Sequence, residues 1–318
     1  MKASASLAAV VVAVLLSAAS ISALHAAYPE RPIQVIVVFP AGGTTDLIAR
    51  VMQPAFSRAL GVDVVVRNVG GGGGTIGTAE IARARPDGYT IGLSPIGPTT
   101  TQPHLRALPY DTLTDLQPIC RIYDSPVVMA SKKGSGYDSI AEIVKRANAQ
   151  PNGVIYGSPA PGSIPHVVMV ALEQAAGIQM RHIPFKGTAE GMRALLGGVV
   201  HIYGDVANVV PEYDLQPVAV YASERLKEFP NVPTVKEAGY DLSYSIWGGL
   251  FAPAGVAGAV VQKLSAACRK ALETESTVEG LRRQRTPAAY LDAGEFAAFV
   301  RSEHEKNGKV LSAAGLKK

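Results

Sequence analysis

The stretch Ile33-Gln-Val-Ile-Val-Val-Phe-Pro-Ala-Gly-Gly-Thr-Thr-Asp46 decides the fold. Residues 33–38 form an apolar, β-branched run of the kind buried in a parallel sheet, and Pro40-Ala-Gly-Gly43 ends it. A helical apolar period then runs from Thr44 to about Leu60. Strand, glycine turn and helix make the first half of a βαβ unit. The same alternation recurs outward from it. Residues 62–66 lead into the glycine run 70–74 and a helix from Thr75, and 89–93 and 125–131 are further strands. The pattern restarts with helix 140–149, strand 153–156, loop 157–163 and helix 165–176, followed by 179–184, helix 189–196 and strands near 201–203 and 218–221. Gly248-Gly-Leu-Phe-Ala-Pro-Ala-Gly255 then precedes a long helical tail, expected to return to the first unit. This order predicts an α/β protein with mostly parallel sheet and ligands beyond the carboxyl ends of strands.

Composition narrows the function. At 318 residues and 47% hydrophobic the chain can bury two cores, so two lobes are expected, one from 27–126 plus 245–318 and one from 127–244. Thirty Lys plus Arg against 26 Asp plus Glu leave a net charge of +4, thinly spread, which is no nucleic-acid footprint. The two cysteines, Cys120 and Cys268, form no C-x-x-C, and whether they pair stays open. The histidines show no metal-ligand spacing, and no cofactor is expected. At the amino end, Met1-Lys2, an apolar segment over 7–16 and small residues over 17–27 predict a secretory signal peptide cut near Ala26 or Ala27. The apolar segment is shorter than the roughly 20 residues of a spanning helix, so an exported protein is expected.

Three loops are candidates for chemistry. Pro40 to Asp46 opens a helix, where unpaired amides, close glycine backbone and the hydroxyls of Thr44 and Thr45 favour an anion. The same residues equally make a self-capped turn, with Asp46 serving its own helix. Gly72, Gly74 and Gly77 spell G-x-G-x-x-G, but the acid a dinucleotide needs is missing at Leu93-Ser94. Gly157-Ser-Pro-Ala-Pro-Gly-Ser163 with His166 is the second lobe's counterpart, where Ser158 and Ser163 could donate to a second polar group of a solute, or simply form a helix entry. Ser163 and His166 also allow a nucleophile and base, though no G-x-S-x-G elbow surrounds them. Asp205, at a strand end, is a candidate acceptor or a structural cap.

Taken in order, these segments resemble the substrate-binding receptors of tripartite tricarboxylate transporters, the Bug family of periplasmic solute-binding proteins. The markers are Tyr28-Pro-Glu-Arg-Pro-Ile33, Phe39-Pro-Ala-Gly-Gly-Thr-Thr-Asp46, Asn68 with the glycine run, Pro86-Asp-Gly-Tyr-Thr90, Phe185-Lys-Gly187, Asn231-Val-Pro-Thr-Val235 and Trp247-Gly-Gly-Leu-Phe-Ala-Pro-Ala-Gly255. The resemblance covers nearly all of the mature chain. It implies a type II, Venus-flytrap pair of α/β lobes closing on a small organic acid, monomeric, not an enzyme, and delivering to one large and one small membrane subunit. It further implies that Phe39, Pro40, Ala41, Gly42, Gly43, Thr44, Thr45 and Asp46 hold a carboxylate, commonly through waters. The far end of the ligand would meet Ser94, Thr99, Ser158, Ala160, Gly162, Ser163 and Asp205. Arg67, Gly70, Gly72 and His201 depart from the family's usual residues. Di- and tricarboxylates, acidic amino acids, aromatic acids and neutral amides stay open as ligands. Two other functions use the same residues: a sensor receptor with a signalling partner, and an exported hydrolase built on Ser163 and His166.

Overall fold

The computed structural model describes residues 28–316 except 186 and 285, so the expected signal peptide lies outside the described residues. Strands β1 (Ile33–Val37), β2 (Val64–Asn68) and β3 (Thr90–Pro95) run parallel, connected by helices α1 (Thr44–Leu60) and α2 (Thr75–Ala82). Gly61, at φ 75°, closes α1 in the left-handed conformation that a side chain would resist. A short α3 (Gln102–Leu105) precedes β4 (Leu116–Ser131), whose sixteen residues run through both lobes.

In the first lobe β4 pairs antiparallel with β9 (Ser245–Pro253), from Leu116 opposite Pro253 to Pro126 opposite Ser245. In the second it pairs antiparallel with β7 (Ile202–Val206) and β8 (Gln216–Val220). Beyond β7 lie β5 (Ile155–Ser158) and β6 (Arg181–Pro184), both parallel to it. The resulting order is β2-β1-β3-β9-β4-β7-β5-β6, with β8 and β10 (Ala288–Leu291) also paired to β4. Helices α4 (Ile140–Ala149), α5 (Ile164–Ala176), α6 (Thr188–Leu196) and α7 (Val209–Glu212) serve the second lobe's strands.

The carboxy-terminal segment contributes α8 (Gly258–Leu272), α9 (Glu275–Arg283) and α10 (Ala293–Ala313). Val261 and Leu264 of α8 share a core with Ile33, Val35, Phe56 and Leu250. Cys120 of β4 and Cys268 of α8, both fully buried, are joined as a disulfide spanning 148 residues of chain. Closing so long a loop restricts the unfolded ensemble and contributes stability.

Three features differ from expectation. The sheet is not mostly parallel, because β4 and β9 run as a ribbon between the lobes: β4 pairs antiparallel with β7, β8, β9 and β10, and β3 pairs antiparallel with β9. The fourth strand begins at Leu116 rather than at 125, because register shifts after Pro118 and Arg121 absorb residues that break its alternation. The tail is not helical throughout: it is interrupted at Glu273 and Thr274 and by β10. No helix among the described residues is long and apolar enough to cross a membrane.

Candidate functional site

Register fixes where the loops meet. Pro95, ending β3, lies opposite Gly248, which lies opposite Tyr123. Val206, ending β7, lies opposite Val127. Because β3 runs with β4 and β7 runs against it, the carboxyl ends of both sets of parallel strands point at one another. The gap between them is the four steps of β4 from Tyr123 to Val127, or about 13 Å at 3.3 Å per residue. Ser94, Ser158 and Asp205 lie at or near the carboxyl ends of β3, β5 and β7, and the other sequence-derived candidates belong to the loops or helix starts that follow the strands.

On the first-lobe side, the amino end of α1 carries no side-chain cap on Gly43. The backbone amides of Thr44, Thr45 and Asp46 are therefore the leading N–H groups of a seventeen-residue helix, without carbonyl partners inside it. Pro40 to Thr44 are exposed, while Thr45 is buried with its hydroxyl facing that of Tyr123. The three loops after β1, β2 and β3 touch: a Cβ on Gly74 would lie 3.2 Å from the Phe39 ring and 3.0 Å from Pro98, and one on Gly70 would lie 3.0 Å from Pro40. Glycine is required there for close approach.

Asp46 is one of the ligand candidates, and its side chain builds the turn. Its carboxylate, 2% exposed, accepts from Gly42 N–H at 2.8 Å, from Arg50 Nε at 3.0 and 2.9 Å, and from Asn68 Nδ2 at 2.9 Å. Asn68 also donates to Phe39 O at 3.0 Å. Burial pushes this carboxyl up, but the hydrogen bonds from Arg50, Gly42 and Asn68 outweigh it and hold it below its ordinary value. Asp46 thus accepts from the Gly42 amide, which precedes the helix. Arg50 and Asn68 were not among the candidates; the i,i+4 spacing of Asp46 and Arg50 was the available signal.

Ser94 and Thr99 are fully buried and also turn inward. Ser94 Oγ pairs with Thr78 Oγ1 at 3.0 Å, and Thr99 Oγ1 donates to Pro95 O at 2.9 Å. Both hydroxyls brace the loop after β3.

In the second lobe, Ser158 Oγ and Ser163 Oγ both donate to Ala160 O, at 3.0 and 2.7 Å. Gly162, at φ +71°, packs against Leu105 of the first lobe, so the loop reaches across the gap. Its N–H donates to His166 Nδ1 at 2.9 Å. Ser163 Oγ and His166 Nδ1 are thus engaged with different partners, Ala160 O and Gly162 N–H, and are not hydrogen-bonded through these atoms to one another. Asp205 accepts from Thr188 Oγ1 and from Val206 N–H, both at 2.8 Å, and burial pushes its carboxyl up to about 6.

Of the departures from the family pattern, Gly70 and Gly72 lie in the loop after β2 that borders this gap, whereas His201 lies away from it. Arg67 is ion-paired with Glu80. His201 stacks on Tyr137 at 4.6 Å and accepts from Ile155 N–H at 3.0 Å, at the amino ends of β5 and β7. An open groove of about 870 Å³ also lies elsewhere, at the amino ends of β1 and β3, lined by Arg31, Gln34, Arg83 and Arg85.

Two α/β lobes joined by an antiparallel ribbon, with strand ends facing across it, define a periplasmic-binding-protein fold. The chain belongs to the tripartite tricarboxylate transporter family receptor family, whose profile matches residues 48–316. It is 32% identical to protein BugT of Bordetella pertussis over 96% of this chain and 97% of that one. Among solved structures it is similar to an R. palustris protein with adipate, at 28% identity and TM-score 0.76, covering 91% of this chain and 98% of that one. It is likewise similar to MatC of Rhodopseudomonas palustris with bound malate, at 27% identity and TM-score 0.73, covering 89% and 100% of the two chains.

Proposed function

We propose that this protein is an exported receptor that captures a small carboxylated solute between its lobes and delivers it to a tripartite tricarboxylate-type membrane transporter. It acts as a monomer and without catalysis, after a signal peptide is cut near Ala26 or Ala27. The lobes comprise 27–126 with 245–318 and 127–244, meeting where Pro126 lies opposite Ser245. The observation that carries the function is the uncapped start of α1, aimed into the gap between facing strand ends. Amides of Thr44 to Asp46 supply donors and a positive helix end for a carboxylate, directly or through a bridging water. No buried cation is needed.

The second-lobe loop around Gly162 and Ser163 contacts the far end of the solute, and Asp205 accepts from a donor on it. Contacts with both walls are what favour the closed state, since a ligand shifts an equilibrium only by its differential affinity. Adipate and malate, bound by structural relatives, make dicarboxylates the first class to test.

Thermal-shift titration of ligand-free protein with adipate, malate and a panel of mono-, di- and tricarboxylates tests this directly. A ligand present at 100 times its Kd should add about 2.7 kcal/mol of stability. Gly43→Leu provides the control: Gly43 has an ordinary φ of −78°, and an added Cβ meets only Pro40 O at 3.4 Å. The variant should fold normally and lose the ligand-induced shift. Undiminished binding would remove the amides of this turn from the site.

A further inference from the structure

Beneath the second-lobe loop lies a stack of three rings. His166, in the first turn of α5 and 5% exposed, lies flat on His182 of β6, with centroids 4.0 Å apart and planes 9° apart. His182 stacks in turn on Tyr156 of β5 at 4.9 Å. Each imidazole is tied to a different corner of the loop: Gly162 N–H donates to His166 Nδ1 at 2.9 Å, and His182 Nε2 lies 2.7 Å from Ser158 Oγ. Ser158 has one hydroxyl proton, and its 3.0 Å bond to Ala160 O, a pure acceptor, uses it. Ser158 must therefore accept from His182. His166, accepting at Nδ1, is then neutral and protonated on Nε2, while His182 donates from Nε2; burial favours the neutral form of both rings. The bonds converge: Ala160 O also receives Ser163 Oγ at 2.7 Å and Ser163 N–H at 3.2 Å.

We propose that His166 and His182 are positioning residues for ligand capture, the stacked neutral pair holding the loop from Ser158 to Ser163 in its binding shape. This rests on the assignment of that loop to the ligand-facing wall. Protonating His166 would set an N–H against the Gly162 N–H, and charging both rings would place two cations 4.0 Å apart in a buried site. Burial drives both imidazoles down to about 4, with the neighbouring His182 adding to the effect on His166.

The surrounding titratable groups offer no compensating anion. Tyr156 on β5 donates to Glu173 of α5 at 3.4 Å, and Glu173 also accepts from Met180 N–H at 2.6 Å. Tyr221, after β8, donates to Val168 O; Asp205 on β7 is held by Thr188 and Val206; Tyr203 adjoins Gly157; and Arg181 of β6 is exposed. Among the described residues no carboxylate is hydrogen-bonded to either ring. Because the folded-state values lie below the ordinary histidine value, the latch is intact above pH 6.5 and is lost as pH falls toward about 4.

Amide exchange of segment 157–166 in ligand-free protein tests the latch, and calorimetry with malate and adipate tests its consequence. His166→Leu keeps the bulk and removes the acceptor, and should speed exchange of the segment at least about tenfold and weaken binding similarly. His166→Asn replaces Nδ1 with an oxygen acceptor that does not titrate, and His182→Gln retains a donor near Nε2. Both should restore protection and binding at neutral pH, and His166→Asn should flatten the acid limb of the wild-type affinity profile. Exchange unchanged in His166→Leu, or Asn behaving like Leu throughout, would overturn the proposal. Faster exchange with unchanged affinity would instead overturn the assignment of the loop to the ligand-facing wall.

Discussion

Asp46 shows how one side chain determines what a helix end offers. With its carboxylate committed to Gly42, Arg50 and Asn68, the turn is shaped from below and the leading helix amides keep no side-chain cap from Gly43. Asp46→Ala should deprive the Gly42, Arg50 and Asn68 donors of their charged acceptor and cost about 1–3 kcal/mol in urea unfolding, with loss of ligand binding. The stabilisation should also follow pH with a definite sign. The folded carboxyl titrates below its unfolded value, so its contribution is present above that unfolded value and disappears as pH falls through the folded one. Wild type and Asp46→Asn should therefore converge in stability in strong acid. Sequence alone left this turn divided between an anion site and a self-capped helix entry, and both halves of that alternative hold physical content. Asp46 serves the turn through Gly42, while Gly43 carries no side-chain cap bond. Spacing could not assign the two roles, because the partner Asn68 comes from a separate strand.

Elements built from local periodicity were legible. The helices Thr44–Leu60 and Ile140–Ala149 have the predicted bounds, since an amphipathic stripe and a terminal glycine or serine cap are local signals. The β4–β9 ribbon was not. Its Pro118 and Pro126 interrupt β4, and Gly248 and Gly249 interrupt β9, so neither strand alternates cleanly. The glycines have tertiary reasons: a Cβ on Gly248 would meet the Tyr123 ring at 2.5 Å, and one on Gly249 would meet the Phe296 ring at 2.5 Å as well as the Cys120 carbonyl. Gly249→Ala should accordingly destabilise by about 1–3 kcal/mol, measured by chemical denaturation, because a backbone oxygen in a paired strand cannot move aside. Unaltered stability would show that the ribbon repacks more freely than its register implies.

For the whole molecule, the two-lobed architecture followed from the restart of the strand–helix pattern near 139, whereas the meeting of the lobes depends on long-range pairing that no local pattern encodes. The continuous run of β4 sets how the lobes can move. Asp124, Ser125 and Pro126 stay registered to Trp247, Ile246 and Ser245, the first residues of β9, and from Val127 onward β7 takes over. Spin labels placed one in each lobe should give a single narrow distance distribution in the unliganded protein, shifted shorter by a saturating ligand. A broad distribution spanning many ångströms would mean the ladder parts during opening. If it does not part, the joint works as a torsion bar. It twists through a small arc with an elastic restoring force, and a departing solute leaves behind jaws already sprung to the angle at which the next one enters.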